Sequence, residues 1–129
     1  MNNKNNRFLI HHHKAEKAGL HYDLRLEREG VLKSFATRYL PELIDGDKKK
    51  ILLIQVADHK LEWFDFEGRI FTGYGKGNMY IWDKGTYETD KWTKSNIILT
   101  FTGQKLVGQY SLIPYRAKTD QWLMFHVSK

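Results

Sequence analysis

Eight residues constrain the fold of this chain more than any others: Leu20-His21-Tyr22-Asp23-Leu24-Arg25-Leu26-Glu27. Apolar and polar side chains alternate through them without a break. Leu20, Tyr22, Leu24 and Leu26 fall on one side, and His21, Asp23, Arg25 and Glu27 on the other. Side chains of a β-strand point to opposite faces with period two, so the stretch predicts a half-buried strand with its polar face outward. Solvated strand faces usually carry Thr, Ser, Lys and Glu. This one lines up an imidazole, a carboxylate and a guanidinium, roughly 6.5–7 Å apart along the backbone. His21 and Asp23 can then lean toward one metal ion, with Arg25 one step further on to hold an anion. A charged outer strand with an incidental histidine shows the same alternation, and the rest of the chain must separate the two.

A chain of 129 residues is one domain, with room for a real core but not for two. Hydrophobic residues at 41% and aromatics at 14% suit a compact fold. The absence of cysteine excludes disulfides and thiolate metal sites and fits a reducing, cytoplasmic setting. Residues 1–6 are polar, lack the apolar run of a signal peptide, and are expected to be a disordered lead to a single domain over 7–129. No stretch reaches the length of a membrane span. A net charge of +6 and a pI near 9.5 favour a polyanionic partner, nucleic acid first. A monomer is expected.

Along the chain, Arg7 to Ile10 predicts a short strand entering His11-His12-His13, where His11 and His13 share a face if extended. Lys14 to Ala18 predicts a turn of helix closed by Gly19. Arg28-Glu29-Gly30 predicts a hairpin turn into a partner strand over Val31 to Tyr39, which Pro41 stops. Leu43 to Lys50 is a polar connection ending in Lys48-Lys49-Lys50. Ile51 to Val56 predicts a strand buried on both sides, resuming over Leu61 to Phe66 after Ala57-Asp58-His59-Lys60. The glycine-rich section from Glu67 to Gly77 precedes a strand, Asn78 to Asp83, rather than a helix, so it predicts turns and not a phosphate loop. Lys84-Gly85 predicts another turn, Ile97 to Leu112 a second hairpin, and Trp122 to Val127 a closing strand. Eight to ten short strands with little helix predict an all-β fold, an antiparallel sheet closed into a β-barrel.

The six histidines fall at 11, 12, 13, 21, 59 and 126. A His-rich segment, a seven-residue loop and then His-x-Asp can deliver two imidazoles and a carboxylate to Mn, Fe or Zn, leaving positions open for water or substrate. Asp58-His59 lies at a break between apolar runs, where side chains reach a barrel rim. One reading is a metal-dependent phosphoesterase in which the metal and Arg25 hold a phosphate. A second is a non-haem iron oxygenase with His59 or His126 as the distal ligand. Its 2-oxoglutarate would need a later cation, which Arg69 supplies after His59 and only Lys129 after His126. The chain is also short for that fold. A third, a non-catalytic DNA-binding barrel, leaves the His/Asp/Arg face unexplained.

His13-Lys14-Ala15-Glu16-Lys17-Ala18-Gly19-Leu20-His21-Tyr22-Asp23-Leu24-Arg25-Leu26-Glu27, followed by Gly30-Val31-Leu32-Lys33-Ser34, resembles the opening of the 3′-phosphoesterase domain of DNA ligase D. The resemblance continues through Asp58-His59, Phe66-Glu67-Gly68, Gly73-Tyr74-Gly75-Lys76-Gly77, Ile81-Trp82-Asp83-Lys84-Gly85, Leu106-Val107-Gly108 and Trp122-Leu123. It covers nearly everything from Phe8 onward, and the chain's size resembles the stand-alone form of the domain. The resemblance implies a barrel with an apolar interior and an active site in a surface groove. It implies healing of DNA 3′ ends, by removal of a terminal ribonucleoside and then of the 3′-phosphate, with Mn²⁺ preferred. A DNA ligase or polymerase of end joining is an implied partner. By motif position His21 and Asp23 are metal ligands, His13 is the upstream ligand with His11 as its substitute, and Arg25 and His59 contact the phosphate.

The chain departs from the family pattern at four places. A family lysine falls on Tyr39 beside Arg38, an arginine on Ile51 beside Lys50, and an active-site tyrosine on Trp63. Family charges upstream of the first strand have no match in Met1 to Arg7. Arg38 and Lys50 are therefore the candidate replacement phosphate contacts, needing a bulge or loop to re-aim them. Arg25 offers a planar fork to two phosphate oxygens. His59 either donates to the phosphate or protonates the leaving oxygen. Lys48, Lys49 and Lys50 are candidates for gripping the DNA backbone, and Trp63, Tyr74 and Trp82 for stacking on bases, against solvated-loop and core-packing alternatives.

Overall fold

The computed structural model describes residues 6–73, 75–116 and 120–127. Among the described residues nine strands form: β1 (Arg7–Ala15), β2 (Gly19–Arg28), β3 (Val31–Thr37), β4 (Lys50–Lys60), β5 (Gly68–Ile70), β6 (Gly77–Trp92), β7 (Ile97–Thr102), β8 (Val107–Pro114) and β9 (Gln121–His126). They are joined by one short helix, α1 (Leu40–Asp45), and a 3₁₀ turn at Leu61–Trp63. The sheet runs β1-β2-β3-β4-β9-β8-β7-β6, and β6 pairs back onto β1. This closes an antiparallel barrel of eight strands, with β5 as a short outer partner of β6. The all-β barrel expected from the strand spacing is the fold.

Strand alternation sorts the side chains. Phe8, Ile10, Leu24, Leu26, Phe35, Leu53, Tyr87, Leu99, Phe101, Leu112 and Met124 fill the interior. Each such burial contributes about 1.5–3 kcal/mol relative to exposure. Glu29 and Gly30 both take positive φ, 56° and 83°, between the paired residues Arg28 and Val31. That is a two-residue hairpin loop whose twist matches the strands. It fixes the register that sets Arg25 opposite Ser34. Asp83, 4% exposed, accepts the backbone N–H groups of Lys84 and Gln104, both at 2.9 Å, and of Lys105 and Leu106 at 3.1 and 2.8 Å. It thereby anchors the β7–β8 turn against β6.

Several local expectations change. Lys84-Gly85 does not turn the chain. β6 runs straight through, because a Cβ on Gly85 would sit 2.1 Å from the Thr102 carbonyl oxygen, so this glycine serves close strand approach. Lys14 and Ala15 stay in β1 instead of forming a helical turn, held by pairing with both β2 and β6. Pro41 stands in the first turn of α1 and starts the helix, which packs Leu40 and Leu43 into the core. Ile51 to Val56 is not buried on both sides: Ile51 and Leu53 point inward, while Leu52, Ile54 and Val56 line an outer groove. Leu61 to Phe66 forms the 3₁₀ turn and a loop rather than a strand. Of the expected disordered lead, Asn6 accepts the Tyr87 N–H at 3.0 Å, and residues 1–5 lie outside the described residues. No helix among the described residues is long and apolar enough to cross a membrane.

Candidate metal and phosphate site

On the outer face of the barrel, the β1–β2 register sets His13 opposite His21, His11 opposite Asp23 and Leu9 opposite Arg25. A charged outer strand with an incidental histidine would leave this face in solvent. It is instead buried: His11 is 0%, Arg25 2%, Asp23 4% and His13 6% exposed. The covering comes from the segment between β4 and β6. Phe64 joins Leu9 and Leu32 in a second apolar cluster, with Leu61, Trp63 and Ile81 packed on it. The carbonyls of Phe66 and Gly75 then reach down to His11 and His13. What stays open is a groove of about 520 Å³, with His13, His21, Asp23, Arg25 and His59 along its polar side and Ile54, Val56 and Trp63 among its apolar lining.

His13, His21 and Asp23 each offer a ligand atom within 4.8 Å of the others. Hydrogen bonds to backbone decide which atoms these are. His13 Nε2–H donates to the Gly75 carbonyl at 2.8 Å, leaving the lone pair of the neutral ring on Nδ1, 3.1 Å from Asp23 Oδ2. His21 Nδ1–H donates to the Gly19 carbonyl at 3.2 Å, leaving its lone pair on Nε2, 3.4 Å from Asp23 Oδ1. Two imidazole lone pairs aimed at one carboxylate repel unless a cation lies among them. Backbone carbonyls holding the far nitrogens are the usual outer shell of metal-binding histidines. The donor set fits a divalent transition ion. Without metal a proton plays that part. Burial alone would lower His21 and raise Asp23. The hydrogen bond and charge of Asp23 raise His21 above its ordinary value, while His13, His21 and Arg25 hold Asp23 well below the usual carboxylate range.

Arg25 lies beside this cluster with three of its five N–H donors engaged among the described residues. Nε–H donates to His11 Nδ1 at 3.0 Å, Nη1 to Ser34 Oγ at 2.9 Å, and Nη2 to Asp23 Oδ2 at 3.4 Å. His59 Nδ1 lies 3.1 Å from the Ala57 carbonyl, which requires the proton on Nδ1. Arg25 Nη1, a donor 3.4 Å away, then makes no bond to that nitrogen, and the neutral ring keeps its lone pair on Nε2. Burial first, and the charge of Arg25 second, lower His59 from its ordinary value. A register shift between Leu32 and Ser34 lets His59 face outward with Val56, although the two are an odd number of residues apart.

Arg38 lines the groove, but its guanidinium donates to the carbonyls of Leu20 at 2.6 Å and Ala18 at 2.5 Å, bracing the β1–β2 loop beside His21. Tyr39 lines the same end. Ile51 is in the core, so on β4 it is Lys50 that faces outward in the row of Leu52 and Ile54. Its Nζ lies 5.6 Å from the Phe125 ring centre, and Lys50 is not among the groove residues. Lys48 Nζ lies 5.1 Å from the Tyr39 ring centre. Trp63 faces the groove, 6.1 Å from the His59 ring, whereas Trp82 packs on the core and Tyr22. Tyr74 lies outside the described residues. His126 rests against Tyr110 on β8, away from the groove. Sequence reasoning missed Ser34 as an Arg25 partner, although the two-residue hairpin loop implied that register. It also missed the Gly19 and Gly75 carbonyls, for which side-chain patterns give no signal.

The profile of the DNA Ligase D 3′-phosphoesterase domain matches residues 11–114. The chain is 42% identical over 132 residues to the multifunctional non-homologous end joining protein LigD of Mycolicibacterium smegmatis, covering 92% of this chain and 16% of that protein. It is 42% identical over 124 residues to the multifunctional non-homologous end joining DNA repair protein LigD of Mycobacterium tuberculosis, covering 92% and 15%. To the multifunctional non-homologous end joining protein LigD of Pseudomonas aeruginosa it is 37% identical over 126 residues, covering 92% and 14%. The chain thus spans about one sixth of the length of these relatives.

Proposed function

The chain belongs to the DNA ligase D 3′-phosphoesterase domain family, and from that premise we propose that it is a Mn²⁺-dependent phosphoesterase that heals DNA 3′ ends. It removes 3′-terminal ribonucleosides and 3′-phosphates during break repair in the cytoplasm, as a monomer alongside a ligase or polymerase of end joining. The observation that carries this is the convergence of His13 Nδ1, His21 Nε2 and the Asp23 carboxylate beside a buried arginine in one groove. His13, His21 and Asp23 would hold the ion. When bound, it supplies charge against the phosphate oxygens and a more acidic coordinated water.

The rest of the chemistry belongs to the protein. Arg25 has five N–H donors, of which His11, Ser34 and Asp23 take three among the described residues. Its Nη groups are left to meet phosphate oxygens in a low-dielectric pocket, where such bonds are strongest. His59 enters neutral, so its Nε2 accepts a proton from the attacking water as the new P–O bond forms. The oxygen whose bond to phosphorus breaks, O3′ of a 3′-phosphate end or O5′ of a terminal ribonucleoside, takes its proton from water at the open side of the groove. The apolar lining by Ile54, Val56 and Trp63 suits the sugar and base of the terminal nucleotide. The oxygenase reading with His59 or His126 as the distal ligand lacks support in the geometry: Arg25 separates His59 from the ligand cluster, and His126 is on another face.

The test is a 3′-phosphate and a 3′-ribonucleotide primer-template, each with Mn²⁺, Mg²⁺ or chelator, in air and without oxygen. Metal-dependent, oxygen-independent release of phosphate and nucleoside is expected, and its loss in His21→Ala with the fold retained. Oxygen-dependent turnover of 2-oxoglutarate without phosphate release would overturn the proposal.

A further inference from the structure

Three adjacent histidines enter this site, and strand alternation divides them: His11 and His13 face the groove side, and His12 points away to pack on Tyr22. His11 has no lone pair to spare. Arg25 Nε can only donate, so the 3.0 Å contact makes His11 Nδ1 an acceptor. The Phe66 carbonyl can only accept, so the 2.8 Å contact puts the ring proton on Nε2. Both ring nitrogens are committed and the ring is fully buried. This is the opposite of His13, which gives one nitrogen to a carbonyl and aims the other at Asp23.

We propose that His11 is a positioning residue for the phosphate-binding Arg25, holding its Nε–H so that the Nη edge stays turned to the groove. The role rests on the phosphoesterase reading for its catalytic consequence, but not for its geometry. A guanidinium is planar, so fixing Nε–H fixes the plane of the fork. Ser34 and Asp23 each grip one Nη group from the strand side. Without an acceptor at Nε the fork can pivot about those two contacts. The Phe66 bond adds a second effect. It ties His11, and through it Arg25, to the covering segment that closes over the outer face.

Two substitutions separate positioning from ligation and from mere packing. His11→Leu fills the same buried volume without an acceptor. His11→Asn places its side-chain oxygen where Nδ1 stands and loses only the Phe66 bond. On a 3′-phosphate primer-template with Mn²⁺, His11→Leu should lower kcat about 10- to 100-fold, the usual effect of misplacing a charge-assisted donor. His11→Asn should stay within about fivefold of the parent. The Mn²⁺ concentration giving half activity should be unchanged in both. Independently of activity, the Arg25 Nε–H resonance in ¹⁵N-labelled protein should resist solvent exchange in the parent and in His11→Asn, and lose that protection in His11→Leu. Full kcat in His11→Leu, equal loss in both variants, or a Mn²⁺ requirement raised tenfold would overturn the positioning role. If the parent releases no phosphate from any end, the proposed function fails, and the exchange measurement alone decides the role of His11.

Discussion

Replacing Asp83 with asparagine keeps the size of the side chain and changes one oxygen to an amide nitrogen. The carboxylate accepts four backbone N–H groups, two on each oxygen, at 2.8–3.1 Å in a 4% exposed position. The amide keeps one oxygen and its two bonds. The other two N–H groups then face an NH₂ donor in a buried position. Each unsatisfied buried donor costs about 1–3 kcal/mol, so Asp83→Asn should lose roughly 2–5 kcal/mol. That is a large share of the about 5–15 kcal/mol typical of a domain. At about 3–5 °C per kcal/mol for a chain of this size, Tm should fall by roughly 6–25 °C. Urea unfolding followed by tryptophan fluorescence in chelator gives the free energy, and an unchanged m-value shows that only stability moved. Asp83 lies outside the groove, so kcat at 20 °C should stay within about twofold of the parent. A stability loss under about 0.5 kcal/mol would refute the account, as would lost activity in a fully folded variant.

Metal-free protein should lose stability as pH falls from about 6.5 to 4.5. Burial and the charge of Arg25 lower His11 to about 4, and His59 is lowered too, so the unfolded chain binds protons that the folded one refuses. The His11 share approaches roughly 3 kcal/mol once pH is below its folded value. His21 is raised and has the opposite sign, but its contribution is constant below about 6.5 and lost only above it. A urea midpoint flat between pH 6.5 and 4.5 would contradict this. Among the outer cations, Arg38→Ala should lower kcat about tenfold and raise the Mn²⁺ requirement, by freeing the loop whose Gly19 carbonyl orients His21. Lys50→Ala should behave like Lys48→Ala, weakening DNA binding in a salt-dependent way and sparing the rate at saturation. If Lys50→Ala instead lowers kcat more than Arg38→Ala, the phosphate path runs along β4.

The alternation of residues 20–27 was enough to specify β2 and a hairpin turn after it, because both rest on local backbone geometry. The turn expected over Arg28-Glu29-Gly30 is in fact the two residues Glu29 and Gly30, with Arg28 paired to Val31, and that sets the register with β3. The barrel followed from the spacing of strands. What could not be read locally was the far side of each contact. The depth to which the polar face of β2 is buried is not legible in it, because nothing in its own sequence says that Phe64 and Trp63 will settle over it. His59 is aimed by a register shift at Leu32 and Ser34, and simple parity from Ile51 would have turned it inward. The choice between His11 and His13 as ligand depended on which carbonyl lies above each ring, Phe66 or Gly75, and both belong to a segment distant in sequence. Glycine misled at Gly85, where the residue serves strand contact and not a turn.

Barrel closure by β1 against β6 also sets when the site can exist along the folding route. Pairing of β1 with β2 is local and brings His13, His21 and Asp23 near one another early. The Gly75 carbonyl that fixes the tautomer of His13 arrives only with the stretch leading into β6, whose Arg7–Thr86 to Ala15–Gly77 ladder is among the most sequence-distant in the fold. Such ladders form late, since chain-closure entropy must be overcome before their contacts help. On the metal-binding reading, a cation captured by the early hairpin would be held loosely, and one captured after closure tightly. Manganese should consequently slow opening of the β1–β6 seam more than it speeds folding, acting as a latch on the finished barrel rather than as a seed for it.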